Sequence, residues 1–278
     1  MRLGTVQLAQ GTKAVRVDGD RATEIGPFAD VGELLRANAA GAGGLDQAAV
    51  AAGPVHQLSS VRLVSPIINP AKIICVGQNY RRHIEEMGKQ APKYPTLFHK
   101  WPSALVAHNE PLELPAESDQ VDWEGELVVV IGQTIRRANP AQAAAAIVGY
   151  TIMCDTSMRD WQNRTAQVLQ GKNWDRSTPM GPVVATPDEL PADPVLITKL
   201  NGQEMQCSPV SDMLFGPVEL VQYISTIVTL VPGDVIATGT PSGVGHGRTP
   251  PVYLRPGDTL EVSVDGIGSL VNPVREEP

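Results

Sequence analysis

The sequence predicts a mixed α/β, mostly β chain, with a small N-terminal α/β domain over residues 1–62 and a larger β-rich domain over residues 66–278. Three observations carry this. Short apolar runs of strand type recur along the chain, and 24 prolines and 26 glycines supply the turns between them. In the last third, Leu260, Val262 and Val264 alternate as one face of a strand. Helical patterns are few and short.

Thr12–Val17 and Arg21–Ile25 flank Asp18-Gly19-Asp20, a hairpin turn between two short strands. Val31–Ala40 reads as a short helix ending in the glycines Gly41, Gly43 and Gly44, and Ala48–Ala52 is small and weakly patterned. Ser65-Pro66 and Asn69-Pro70 punctuate the domain boundary. Beyond it, Lys72–Val76 is a buried-type strand, Tyr80–Met87 one or two helical turns, and Leu127–Ile131 a second buried strand. Asn139 caps, and Pro140 opens, an alanine-rich helix. Tyr150–Cys154 is a third strand that leads straight into Asp155. Leu230–Asp234 and Leu254–Asp258 share a Pro-Gly turn feeding a strand, and Asp265-Gly266 closes a hairpin.

Hydrophobic residues make up 42% of the 278, enough to bury a sizeable core. A net charge of -8 argues against nucleic-acid binding, which needs a clustered basic face, and against an anionic membrane surface. A small anionic substrate stays allowed, because local charge decides its binding. Cys75, Cys154 and Cys207 form no C-x-x-C pair, which points to a reducing compartment. The opening residues carry no signal-peptide pattern, and no apolar run reaches the ~18 residues of a spanning helix. The expectation is a soluble cytoplasmic protein.

The strongest local signal is Asp122-Trp-Glu124-Gly-Glu126, running into the apolar stretch that ends at Ile131. On a strand, Glu124 and Glu126 share a face, with Asp122 on the same side. An isolated Glu-x-Glu is commonly a solvated edge. Carboxylates leading into a buried run need either a shared proton or a cation between them. Asp155 follows a strand after one intervening helix, a connection that can return it beside the pair. Three carboxylates suit a hard cation such as Mg²⁺ or Mn²⁺, with Ca²⁺ also accommodated.

His83 and Glu86 stand at i and i+3 on the Tyr80–Met87 turn, so they share a helical face. A carboxylate beside an imidazole orients it and raises its basicity, as general-base work requires. A surface helix with an incidental His explains that segment equally well by itself. His56, His99, His108 and His246 sit in no metal-binding spacing and read as incidental. Arg159 and Gln162 share a helical face, and Lys172 lies between Gly171 and a Trp at 174. The glycine-rich run Thr238–Gly247 lacks a P-loop ending, yet its backbone N–H groups can face a carboxylate, with Thr240 adding a hydroxyl.

Taken together, the segments Lys72–Gly88, Pro95–Ala104, Val121–Gly132, Gly149–Gln162, Gly171–Pro182, Leu200–Gln203, Ser211–Phe215 and Pro232–Gly245 resemble, in order, the fumarylacetoacetate hydrolase family. The resemblance implies that family's β-rich roll for the larger domain, and a homodimer. It implies metal ligation by Glu124, Glu126 and Asp155, a catalytic dyad of His83 and Glu86 on a segment that orders over substrate, and a catalytic lysine at Lys172. Substrate contacts fall on Arg159, Gln162, Thr240 and Lys100. Departures at Gln78, at Asn173-Trp174 and over Gln206–Val210 bear on pocket shape. The function so implied is Mg²⁺-dependent hydrolysis of a C–C bond in a 2,4-dioxo acid of acylpyruvate or fumarylpyruvate type, giving pyruvate and a carboxylic acid. Oxaloacetate decarboxylation, isomerisation of an unsaturated 2-oxo acid, and non-catalytic metal-dependent ligand binding are the alternatives.

Overall fold

A computed structural model of the chain describes residues 1–41, 45, 48 and 52–278. Gly43, Gly44 and residues 49–51 of the weakly patterned stretch lie outside the described residues. The N-terminal part forms β1 (Arg2–Leu8), β2 (Gly11–Asp18), β3 (Arg21–Glu24), α1 (Val31–Ala39), β4 (Val55–Gln57) and β5 (Arg62–Val64). The chain continues through β6 (Ile73–Gly77), α2 (Arg81–Glu86), β7 (Thr96–Lys100), β8 (Leu105–Val106), β9 (Leu112–Leu114), β10 (Val121–Asp122) and β11 (Gly125–Ile131). Next come α3 (Pro140–Ala146), β12 (Ile147–Cys154), β13 (Ser157–Met158), α4 (Arg159–Gln162) and β14 (Thr178–Ala185). The last elements are β15 (Val195–Leu200), β16 (Gln203–Pro209), α5 (Pro217–Ile227), β17 (Val235–Ala237), β18 (Thr259–Val264) and β19 (Gly268–Glu276).

Mixed α/β and mostly β, the fold matches the class read from the sequence. One large sheet runs β4-β3-β2-β1-β14-β12-β11-β17-β6-β7, and a five-stranded sheet runs β16-β15-β18-β19-β9. The N-terminal strands extend the large sheet, because β1 pairs antiparallel with β14. The strand β1 itself had no counterpart in the sequence reading.

Local signals explain the elements. Gly19 takes φ +60° in the turn between β2 and β3. Asn139 accepts from the Gln142 backbone while the Gln142 side chain returns to the Asn139 backbone, a full capping box ahead of α3. Gly233 and Gly257 take φ +89° and +93° in the two Pro-Gly turns that launch β17 and β18. In β18 the burial alternates as the sequence required.

Every residue of β11 is buried. Leu127 joins the core between the two sheets, with Trp123, Leu196, Val262 and Leu270. Val128 and Val130 join the core beneath α1, with Leu34, Leu35 and Ile73. On a third side, Ala143 of α3 and Leu220, Val221 and Ile224 of α5 cover Val129, Ile131 and Ile236. Each such aliphatic side chain contributes roughly 1.5–3 kcal/mol on burial. The strand at whose start the acids stand is therefore clamped by the core. No helix among the described residues is long and apolar enough to cross a membrane.

Candidate metal centre and active site

The pairing of β11 with β12 builds the centre. Gly125 stands opposite Cys154, so Glu124 and Asp155 meet just beyond the paired ends, and Asp155 N–H donates to Glu124 O at 2.8 Å. Helix α3 makes the return that the sequence suggested. One oxygen from each of Glu124, Glu126 and Asp155 lies within 4.8 Å of the others, and all three residues are buried. Gly125 lets the acidic strand pass close to the second sheet. A Cβ there would collide with Thr198 Oγ1 and stand 2.9 Å from Val262 Cγ1.

Asp122 departs from the expected shared face. Its strand breaks at Trp123 and Glu124, and the carboxylate turns away from the cluster. Its Oδ2 accepts from Arg159 Nε at 2.9 Å, and its Oδ1 accepts from Gly245 N–H at 2.7 Å.

The acids are met by three buried cations. Lys172 Nζ lies 2.8 Å from both Glu124 Oε2 and Asp155 Oδ2. Lys100 Nζ lies 2.7 Å from Asp155 Oδ1, and Arg159 NH1 lies 2.7 Å from Glu124 Oε1. Among the described residues, Glu126 receives only the Gly239 backbone N–H, at 2.9 Å. Burial pushes Glu124 up, but Lys172 and Arg159 beside it win and hold it at about 2. Burial, then the charges of Asp155 and Glu124, push Glu126 well above the usual carboxylate range. Burial opposes the charge on Lys172 too, but Asp155 and Glu124 hold it above an ordinary lysine. Counting Asp122, four carboxyl groups face three cations, and the acid without a cationic partner, Glu126, is the one driven toward its protonated form. This donor set fits a divalent metal: all-oxygen, buried, and short of positive charge. Glu124, Glu126 and Asp155 are the residues that would hold it.

On α2, His83 Nδ1 lies 3.1 Å from Glu86 Oε2, as their spacing predicted. The other Glu86 oxygen accepts from Gly243 N–H at 2.9 Å. Burial raises Glu86, but the His83 and Gly243 hydrogen bonds outweigh it and hold the acid below its usual value. The glycine-rich run was expected to offer its N–H groups to a carboxylate. Gly239, Gly243 and Gly245 donate to the carboxylates of Glu126, Glu86 and Asp122. The loop clasps three of the protein's own acids; Asp122 and Glu126 are buried and need donors, while Glu86 lies nearer the surface.

A cavity of about 150 Å³ opens over the centre, lined by His83, Glu124, Glu126, Arg159, Gln162, Lys172 and Thr240 among others. Gln162 accepts from Arg159 NH1 at 2.9 Å, so the two do share the face of α4. A Cβ on Gly171 would come within 2.5 Å of Gln162 Cβ, so the glycine allows the close packing that delivers Lys172. Lys100 and Thr240 each have partners within the protein. Lys100 is absent from the cavity wall and lies behind Asp155, also donating to Thr156 O at 3.2 Å. The Thr240 hydroxyl is taken up inside the protein, donating to Gly125 O at 2.9 Å.

Three supporting residues also appear; Asn79 was missed by the sequence reading, and Gln78 and Gln206 were noted there only as departures bearing on pocket shape. Gln206 is 2% exposed, accepts from Gly125 N–H at 3.0 Å and donates to Thr240 Oγ1 at 2.8 Å, tying the acidic strand to the glycine loop. Asn79 bonds Thr238 O and the Phe215 backbone, fixing the entry to α2. Just before it, Gln78 holds φ +56° in the cavity wall. A buried Asn or Gln looks like any surface amide in a sequence, so Asn79 carried no local signal, and nothing local showed what Gln206 would bond. For Asp122 the signal was its place in the acidic run.

The profile for the fumarylacetoacetate (FAA) hydrolase C-terminal region matches residues 72–275. The chain belongs to the fumarylacetoacetate hydrolase family. Among its relatives in this family is the mitochondrial oxaloacetate tautomerase FAHD2A of Bos taurus. The two are 41% identical over 226 residues, 80% of this chain and 72% of the relative. The oxaloacetate tautomerase YisK of Bacillus subtilis (strain 168) is 42% identical over 230 residues, 79% and 75% of the two chains. Among solved structures, a fumarylacetoacetate hydrolase from psychrophilic Exiguobacterium antarcticum superposes with a TM-score of 0.86 at 37% identity, covering 100% of both chains. Family membership supports an enzyme, and the acid cluster supports divalent-metal binding.

Proposed function

We propose that this family member is a divalent-metal-dependent oxaloacetate tautomerase, interconverting the keto and enol forms of a small 2-oxo acid. The observation that carries the reading is the buried acid cluster under a cavity of about 150 Å³. That volume is small beside the ~300–1,000 Å³ of drug-sized pockets, which favours a short substrate. The names of the relatives at 41% and 42% identity support the choice of oxaloacetate.

A bound divalent cation would draw charge from the 2-oxo oxygen as a Lewis acid. The chain's own residues do the rest. Arg159 and Lys172 keep positive charge beside the acids, where an anionic substrate needs it. His83, held at Nδ1 by Glu86, moves the proton at C3 through its other nitrogen. The proton lost from C3 is matched by one gained at the 2-oxo oxygen, so only C–H and O–H bonds change. Glu86 also bonds Gly243, which ties α2 to the glycine loop beside the cavity.

The same His83–Glu86 pair favours a second reading, attack of water on an acylpyruvate with release of pyruvate. EDTA-stripped protein with Mg²⁺ or Mn²⁺ restored distinguishes them. Metal-dependent acceleration of enol loss from oxaloacetate, without pyruvate, supports the tautomerase. Pyruvate from acetylpyruvate supports the hydrolase, and pyruvate from oxaloacetate a decarboxylase. No metal-dependent change with any of these substrates sinks both readings.

A further inference from the structure

The cavity has a second histidine that this chemistry leaves unused. His246 lines it together with Glu124, Arg159, Gln162 and Asn163. Its backbone N–H donates to Asp122 Oδ2 at 3.0 Å, the oxygen that also takes Arg159 Nε and NH2 at 2.9 and 2.7 Å. One buried carboxylate therefore fixes both the Arg159 guanidinium and the backbone under His246. The ring is held too, with Nδ1 2.9 Å from the Tyr253 hydroxyl. That leaves Nε2 as the nitrogen without a protein partner. Burial, reinforced by Arg159 and opposed by Asp122, lowers the His246 pKa, which favours the neutral ring. Of the two neutral tautomers, the one that accepts the Tyr253 O–H at Nδ1 carries its proton on Nε2 and is a donor there.

The contacts form a row leading away from the acid cluster, from Glu124 to Arg159, then Asp122, then His246. A 2-oxo acid that engages the acid-cluster end through its carboxylate and 2-oxo oxygen points its other end along this row. Resting on the reading of the site as a 2-oxo acid site, we propose that His246, oriented by Tyr253, is a specificity residue. It donates to the distal carboxylate of a dicarboxylic 2-oxo acid. In oxaloacetate this is the C4 carboxylate. A held, neutral donor discriminates strongly, because a substrate without an acceptor leaves it unpaired.

The test measures calorimetric binding of oxaloacetate and of pyruvate, which lacks the distal carboxylate, to Mg²⁺-loaded protein. His246→Ala is expected to weaken oxaloacetate about tenfold or more, the worth of a hydrogen bond to a charged group, and pyruvate by less than about twofold. Tyr253→Phe should lose part of that preference by freeing the ring, and His246→Gln, which keeps a donor, should retain most of it. In turnover, the His246→Ala change should appear in KM, with kcat within about threefold. Equal weakening of both ligands, or of neither, overturns the proposal. So does a wild type that binds oxaloacetate no tighter than pyruvate. A wild type that binds oxaloacetate selectively but does not turn it over defeats the tautomerase reading alone, and the binding comparison still decides the role of His246.

Discussion

Lys172 Nζ sits 2.8 Å from Glu124 Oε2, an ion pair in which neither side chain is more than 9% exposed. Because Asp155 shares the same ammonium, the lysine compensates two of the three acids that would ligate a metal. Removing it should separate the metal-free protein from the metal-loaded one. Lys172→Met leaves both acids short of positive charge, and breaking a buried pair in this way costs roughly 3–5 kcal/mol. Thermal melts should show a large drop without metal and a smaller one at saturating Mg²⁺. Equal drops under both conditions would mean that the acids do not bind the ion.

Glu126 sets a pH dependence. Its folded pKa is raised by burial and by Asp155 and Glu124, so the folded state holds a proton that the unfolded state releases near 4.5. Stability of the metal-free protein should therefore fall as pH rises from 4.5 through the raised pKa. The sign is opposite for Glu124, held at about 2, whose contribution is present above 4.5 and lost as pH falls through about 2. Glu126→Gln should flatten the alkaline decline and weaken Mg²⁺ binding. Denaturant titrations across pH, with and without metal, check both.

His83 carries the proton-transfer step of the proposed reaction. His83→Ala should lower kcat for oxaloacetate tautomerisation by about 10²–10⁴-fold, the usual contribution of a positioned acid–base group. Affinity for oxalate on the Mg²⁺-loaded protein should stay unchanged, because oxalate has no C3 proton to move. Stopped-flow enol absorbance and calorimetry give the two numbers. A loss of oxalate affinity as large as the loss of kcat would assign His83 to binding.

Gly125 tests the packing under the centre. Gly125→Ala drives a methyl into Thr198 Oγ1, and overpacking of this kind costs about 1–3 kcal/mol. Metal affinity should fall as well, since the strand carrying Glu124 and Glu126 must shift. Thr198→Ala in the same chain should recover part of the stability by removing the colliding hydroxyl. Melting temperatures of the single and double variants decide it.

Much of this centre was legible before any fold was known. The acids Glu124 and Glu126 share a strand face whenever Gly125 is extended, and His83 and Glu86 share a helix face at a spacing of three. Those relations are local, fixed by backbone geometry. The turn glycines Gly19, Gly233 and Gly257 were equally readable, because L side chains avoid the backbone angles they take.

What the tertiary structure decided was pairing across distance. The register of β11 against β12 brought Asp155 to Glu124, and a break after β10 turned Asp122 away to Arg159. The fold sent the glycine-loop N–H groups to Glu126, Glu86 and Asp122, took up the Thr240 hydroxyl, and buried Lys100 behind Asp155. For Glu126, Asp122 and Lys100 the partner is set by desolvation, because a buried charge takes the partners that the fold brings within reach, however far apart they lie in sequence. Residue type and local spacing determined which groups form the centre. Burial determined which of them remain free to meet a substrate.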